Sequence, residues 1–310
     1  MKRFPGIRMN TAAVAGCWLL GLALGPATIQ ADSHSAAEWS AQATIDYRVV
    51  PNIVYKVANG QENKLDVYVP NGRTEPNATV IYIHGGGWVG GTKESSSLQF
   101  LPYLQKGMSV VNVEYRLARI SRGPAAVEDC RCALQWVIRN ADKYAFDTSK
   151  LIVTGRSAGG HLSLITGMLE PSAGLDRDCR GEETLKVAAI VNWFGITDVG
   201  DLLDGVNEKS YAVEWLGSLE NRFEIATRVS PLTYVRRGLP PVLTIHGDAD
   251  PTVPYQHAVR LHEALKANGV ENELLTIPGG RHGGFSSGET QKIFMTIDAF
   301  LRKHGILGAM

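Results

Sequence analysis

Leu151-Ile152-Val153-Thr154-Gly155-Arg156-Ser157-Ala158-Gly159-Gly160-His161-Leu162-Ser163-Leu164 is the stretch whose reading decides the fold. Leu151 to Val153 is a short apolar run, a glycine-flanked turn follows at once, and His161 to Met168 has the spacing of an amphipathic helix. Strand, sharp turn and helix put Ser157 at the apex, on backbone that only flanking glycines allow to turn so tightly. A Gly-x-Ser-x-Gly match is weak evidence alone. Two further stretches strengthen it: His246-Gly247-Asp248-Ala249-Asp250-Pro251-Thr252-Val253-Pro254 offers a carboxylate, and Gly279-Gly280-Arg281-His282-Gly283-Gly284-Phe285 a histidine. The chain order serine, acid, histidine is the one such a turn requires.

The chain has 310 residues, 44% hydrophobic and 20% charged, enough for one domain with a full core. Lys2, Arg3 and Arg8 precede an apolar stretch from Ala12 to Ala27, and Ile29-Gln30-Ala31 follows. This is the layout of a signal peptide over residues 1–31, too short and badly flanked for a stable membrane span. The expected location of the mature chain is therefore secreted or periplasmic. Residues 32–43 are small and polar and read as a mobile mature end. Without the leader the balance is 28 basic against 31 acidic residues, a net charge of −3, which gives no reason to expect nucleic acid as a partner.

Export permits a disulfide. The mature cysteines Cys130, Cys132 and Cys179 are too few and wrongly spaced for a metal site. On a helix from Pro124 to Asn140, Val127, Cys130, Leu134, Val137 and Ile138 share one face while Cys132 points away. That favours a Cys132–Cys179 bridge with Cys130 as a buried thiol.

Strand patterns recur at Ile53–Lys56, Lys64–Val69, Ala78–Ile83, Val110–Val113, Leu151–Val153, Val187–Trp193, Pro241–Ile245 and Leu274–Ile277. Helical segments lie between the later ones, and Glu289 to His304 closes the chain with Ile293, Ile297, Phe300 and Leu301 on one side. Such alternation predicts an α/β fold, a mostly parallel central sheet flanked by helices, over residues 44–310. Residues 199–239 break it, and read as a small helical cap-like insertion near the functional edge.

A serine hydroxyl is a weak nucleophile, so Ser157 needs a base, and the base needs a group that holds its tautomer. His282 sits between the last strand and the last helix and is the candidate base. His84, His161 and His246 look structural. Asp250 is the preferred acid, with Asp248 and Asp198 as rivals whose other reading is a turn role. Attack on a carbonyl puts charge on its oxygen, which backbone N–H groups must meet. Ala158, after the serine, and Gly86 and Gly87, in the glycine loop that ends the Ala78–Ile83 strand, are the candidates. The loop lacks the spacing of a phosphate or dinucleotide cradle, and no cofactor or metal is expected. Trp88, Trp193 and Phe194 are candidate substrate-pocket walls.

Taken together, His84-Gly85-Gly86-Gly87-Trp88, Tyr115-Arg116-Leu117-Ala118, Ala125 to Asp129, the Gly-Arg-Ser-Ala-Gly-Gly turn and the acid and histidine loops resemble the α/β-hydrolase superfamily. The resemblance is to its hormone-sensitive-lipase-like and bacterial feruloyl or acetyl esterase branches and covers Ile53 to Ile306. It implies carboxylester hydrolysis by Ser157, Asp250 and His282. The expected partner is a small-molecule or polysaccharide-linked ester with a short-acyl or aryl group, including feruloyl and acetyl plant-wall esters. Two departures stand out: Ser121-Arg122-Gly123-Pro124 replaces a longer proline-rich approach, and Arg156 stands where many relatives carry Asp or Glu. An amide hydrolase or peptidase shares the machinery, and a noncatalytic binder on the same scaffold is the remaining class.

Overall fold

The computed structural model describes residues 38, 40, 41, 44–179, 181–218 and 220–308. The expected leader lies outside the described residues, as does most of the 32–43 stretch. The chain enters through a hairpin, β1 (Tyr47–Ala58) and β2 (Gln61–Pro70). Its turn places Asn59 and Gly60 both at positive φ, 53° and 72°, the geometry that matches the twist of paired strands. Then come β3 (Asn77–Ile83), β4 (Ser109–Val113), β5 (Phe146–Arg156), β6 (Ala189–Trp193), β7 (Val242–Gly247) and β8 (Asn272–Ile277). The sheet order is β1-β2-β4-β3-β5-β6-β7-β8. β1 and β2 pair antiparallel, β2 meets β4 antiparallel, and from β4 to β8 every pair is parallel. The carboxyl ends of β3, β5, β6, β7 and β8 thus open on one edge, where ligands bind in sheets of this kind.

Both faces of the parallel strands are covered, which is why their sequences read as continuous apolar runs. Ile81, Ile83, Leu151 and Val153 face one core with α1 (Ala125–Arg139) and α2 (Ala158–Met168). Val80, Tyr82 and Ile152, one residue out of step, face a second core with Phe100, Tyr103 and the closing helix. After α2 the chain forms α3 (Ser210–Leu216), α4 (Arg222–Val229), α5 (Gln256–Ala267) and the closing helix α6 (Ser287–Lys303). A capping box of Ser286 and Glu289 starts α6. Contrary to the amphipathic expectation, α2 is buried almost all round, since it is wedged between the sheet, α1 and the 231–234 turn. β5 begins five residues before the apolar run, with the partly exposed Asp147, Ser149 and Lys150 in its first half.

Two of the quoted motifs act as struts. Arg116, just after β4, donates through Nε (2.7 Å) and Nη2 (2.8 Å) to the fully buried Asp129 on α1, and Lys56 approaches the same carboxylate at 3.1 Å. Partnered in this way, the buried charge holds α1 against β1 and β4; left alone it would cost several kcal/mol, roughly 3–5. Cys132 on α1 is bonded to Cys179 and Cys130 is a buried free thiol, its pKa pushed up by burial. The 199–239 segment comprises α3, α4 and short 3-10 turns. Trp215 of α3 stacks on Trp88 at 4.2 Å between ring centres. Among the described residues no helix is long and apolar enough to cross a membrane.

Candidate active site

Ser157 joins β5 to α2 at φ 57° and ψ −120°, a backbone state that costs about 1–3 kcal/mol in a residue with a side chain. Its surroundings hold it there. Its N–H donates to Trp193 O (2.9 Å) and its carbonyl accepts from His161 N (2.9 Å). The turn crosses β3 so closely that a Cβ on Gly159 would lie 2.1 Å from Ile83 O, which is why glycine stands there.

The loop after β8 brings His282 to this apex. Its Nε2 lies 2.9 Å from Ser157 Oγ and its Nδ1 2.7 Å from Asp250 Oδ2. The other carboxylate oxygen, Oδ1, accepts the N–H groups of Thr252 (2.7 Å) and Val253 (3.0 Å). Burial raises the Asp250 pKa, but the bonds from His246, His282 and the Val253 N–H outweigh it and hold the carboxyl well below its usual range. An ionised Asp250 requires a proton on His282 Nδ1, which leaves Nε2 free to accept one from Ser157.

His246 was not expected in this network. Fully buried at the end of β7, it places Nε2 3.1 Å from Val253 O and 3.3 Å from Asp250 Oδ2, the oxygen that also meets His282. The rival acids sit elsewhere: Asp198 pairs with Arg260 at 3.0 Å, and Asp248 accepts the Gly279 N–H at 2.6 Å.

The glycine loop folds over the serine from β3. Gly86 O accepts from Val89 N (3.1 Å) and Gly90 N (2.9 Å), and Gly86 itself has φ 118°. Among the described residues the N–H groups of Gly86, Gly87 and Ala158 donate to no protein acceptor, so they are available to an oxyanion. His84 anchors the loop: its ring stacks on Tyr115 at 4.2 Å, its Nδ1 lies 2.8 Å from Gly85 O, and burial lowers its pKa to about 4. His161 is likewise neutral, lowered to about 4 by burial, and accepts at Nδ1 from Trp88 Nε1 at 3.1 Å.

These elements border a cleft of about 520 Å³. Of the three expected pocket walls, only Phe194 lines it, with its ring 4.6 Å from that of His282. Trp88 is fully buried. Its left-handed backbone, φ 62°, sends the indole down beneath the loop against Trp215 and His161 instead of into the cleft. Trp193 is 3% exposed; it is the last residue of β6, and its ring faces the second core beside Phe294. Tyr211 from α3 takes the place of these tryptophans. Its ring lies over Gly87 and its hydroxyl donates to Thr252 O at 3.0 Å, so the insertion closes one side of the cleft. Ser95, Ser96 and Gln99, on a 3-10 turn, and Arg156 also line it. No motif marked Tyr211, Gln99 or the serines; only Arg156 carried a signal, as a departure from the expected pattern.

Comparison with known proteins agrees with this architecture. The chain is 29% identical over 218 residues to the esterase LipC of Mycobacterium tuberculosis, covering 68% of this chain and 54% of that protein. It spans about half the length of the curated relatives it matches. Among solved structures, a thermophilic esterase from Thermogutta terrifontis in its propionate-bound form has a TM-score of 0.71 at 27% identity, over 86% of this chain and 97% of that one. A truncated carbohydrate esterase from gut microbiota reaches 0.72 at 26%, over 84% and 98%. The BD-FAE family profile matches residues 65–265, most of the α/β-hydrolase domain just described, and the chain belongs to the BD-FAE family of that superfamily.

Proposed function

We propose that this protein is an exported serine carboxylesterase that hydrolyses short-acyl esters through an acyl-enzyme. The observation that carries the reading is the unbroken chain Asp250–His282–Ser157 facing three unused backbone donors. Ser157 Oγ attacks the ester carbonyl while His282 Nε2 takes the hydroxyl proton, and the oxygen that gains charge is met by the N–H groups of Gly86, Gly87 and Ala158. Collapse breaks the bond to the alcohol, which leaves with the proton from His282. Water then attacks the acyl carbonyl with His282 again as base, which frees the acid and restores Ser157.

Structures of the Thermogutta terrifontis esterase bound to propionate and to butyrate support a small acyl group. Tyr211, held over the glycine loop by its bond to Thr252, supports the same limit by narrowing the entrance. With Trp88 and Trp193 buried, Phe194 and Tyr211 are the aromatic walls left for a flat hydroxycinnamoyl ring, and because Tyr211 also narrows the entrance, feruloyl esters are expected below acetyl and butyryl esters in kcat/KM. The basic, then apolar, start of the chain supports export to the periplasm or medium.

The test is covalent labelling. An organophosphate should add one mass increment to the parent protein and none to Ser157→Ala, with the circular dichroism of the two alike. An ester and amide panel, with acyl chains from acetyl to palmitoyl and methyl ferulate alongside, should peak at the short esters. A label retained by the alanine variant, faster amide than ester turnover, or a maximum at long chains would overturn the assignment.

A further inference from the structure

The guanidinium of Arg156 is the one fixed positive charge on the wall of the cleft, and no aspartate or glutamate lines that cleft among the described residues. Its place follows from the strand. Arg156 is the last residue of β5, paired in register with Trp193 of β6, and its side chain leaves the sheet on the face opposite α2. The group lies over the Trp193 ring at 4.5 Å. Stacking of this kind uses the flat face of the cation and leaves its N–H donors free around the edge. Among the described residues no carboxylate lies within ion-pair distance of it and no protein acceptor takes its N–H groups.

Beside it the Tyr82 hydroxyl donates to Gln99 Oε1, which turns the amide so that its NH2 is the unused end. Ser95 and Ser96 border the same wall. A preorganised cation held by a buried indole, a free amide donor next to it and no competing acid together make a receptor for an anion near the nucleophile.

From this arrangement, and on the reading of Ser157 as the nucleophile, we propose that Arg156 is a specificity residue that selects esters carrying a carboxylate in the acyl or the alcohol part. A monoester of a dicarboxylic acid, or an acyl ester of a hydroxy acid, would lay its free carboxylate on Arg156 and Gln99 while its ester carbonyl occupies the Gly86, Gly87 and Ala158 donors. A charge-assisted pair in such a partly sheltered wall favours the anionic ester by about tenfold or more over a neutral one of the same shape.

The experiment uses matched pairs with the full chain. For the acyl side, 4-nitrophenyl hemiglutarate is compared with 4-nitrophenyl butyrate; for the alcohol side, 4-acetoxybenzoate with 4-acetoxybenzamide. In the parent the anionic-to-neutral ratio of kcat/KM should exceed one in at least one pair and fall as salt is added. Arg156→Gln should lower that ratio about tenfold, mainly through KM, and Arg156→Lys should keep part of it. A ratio at or below one in both pairs of the parent overturns the proposal without any variant being needed. So does an Arg156→Gln ratio equal to the parent's. Turnover of the neutral esters and its loss in Ser157→Ala test the esterase reading separately, so the two can fail independently.

Discussion

Replacing Asp250 by asparagine changes one atom and should remove nearly all turnover, for a reason the hydrogen bonds make specific. Oδ1 accepts two backbone N–H groups, from Thr252 and Val253, and Oδ2 accepts from His282 Nδ1. An asparagine has one carbonyl and one NH2, and the two backbone donors dictate where they go: the carbonyl must replace Oδ1, because an NH2 there would face two donors. The NH2 then occupies the Oδ2 position. There it donates to His282 Nδ1, so the imidazole must carry its proton on Nε2, against Ser157 Oγ, and can no longer accept the hydroxyl proton. It also opposes His246 Nε2, which is held as a donor by Val253 O. A wrong tautomer in a triad of this kind costs about 10⁴ in kcat, or roughly 5.5 kcal/mol of transition-state stabilisation. The assay is kcat/KM for 4-nitrophenyl butyrate at neutral pH, with urea unfolding to confirm the fold. Asp198→Asn and Asp248→Asn should stay within about tenfold of the parent, since their bonds run to Arg260 and Gly279. Turnover by a folded Asp250→Asn within tenfold of the parent, or a larger loss in Asp198→Asn, would refute this reasoning.

Trp88→Ala should destabilise the protein by about 3–5 kcal/mol, the cost of a large buried cavity, whereas Phe194→Ala should alter KM for short esters more than the unfolding midpoint; the same pair of urea and kinetic measurements checks both. Reduction of the Cys132–Cys179 bridge, which closes a separation of 47 residues, should lower stability by about 2–4 kcal/mol, while the buried Cys130 stays unlabelled by a thiol reagent in the native state; urea curves with and without reductant, and a thiol count, decide it. His84, His161 and His257 are each lowered by burial to about 4, so the folded state refuses protons that the unfolded chain takes up. Their contribution is complete above the unfolded value of about 6.5 and is lost as pH falls toward 4, at a cost of roughly 3 kcal/mol each at the low end. The urea midpoint should therefore drop steadily across that window and less steeply in His161→Gln; a flat midpoint would refute it.

What the chain disclosed about itself depended on whether a signal was local. Buried parallel strands need continuous apolar runs, so Ala78–Ile83 and Leu151–Val153 could be located within a few residues, and the tight turn at Ser157 needs glycines that are visible in one dimension. The first half of β5 could not be seen, because Asp147, Ser149 and Lys150 lie in the irregular step between the Phe146–Asn77 and Leu151–Thr79 pairings, where Asp147 Oδ1 accepts from Ser149 N and no apolar side chain marks a strand. The bounds of helix α5 could not be read, because His257 sits on its buried side next to Leu261 and Leu265 and blurs the apolar stripe.

The acid and histidine loops were legible because both follow strand ends, and strand ends in a parallel sheet converge on one edge whatever the loops do. Pocket walls obey no such rule. Trp88 and Phe194 both follow strands and both have positive φ, 62° and 41°, yet one ring turns under its loop and the other faces His282. The difference lies in α3, far away in the chain: Trp215 offers Trp88 a flat partner 4.2 Å away and Tyr211 then covers the loop above it. Arg156 shows the opposite relation. A cation where an acid is usual looked in sequence like a simple departure, but the register that pairs it with Trp193 gives it an aromatic support, and among the described residues no carboxylate pairs with it. Substrate selection in this fold therefore rests on side chains whose positions are set by pairing between elements, while the chemistry of the ester bond rests on backbone turns that the sequence must spell out locally.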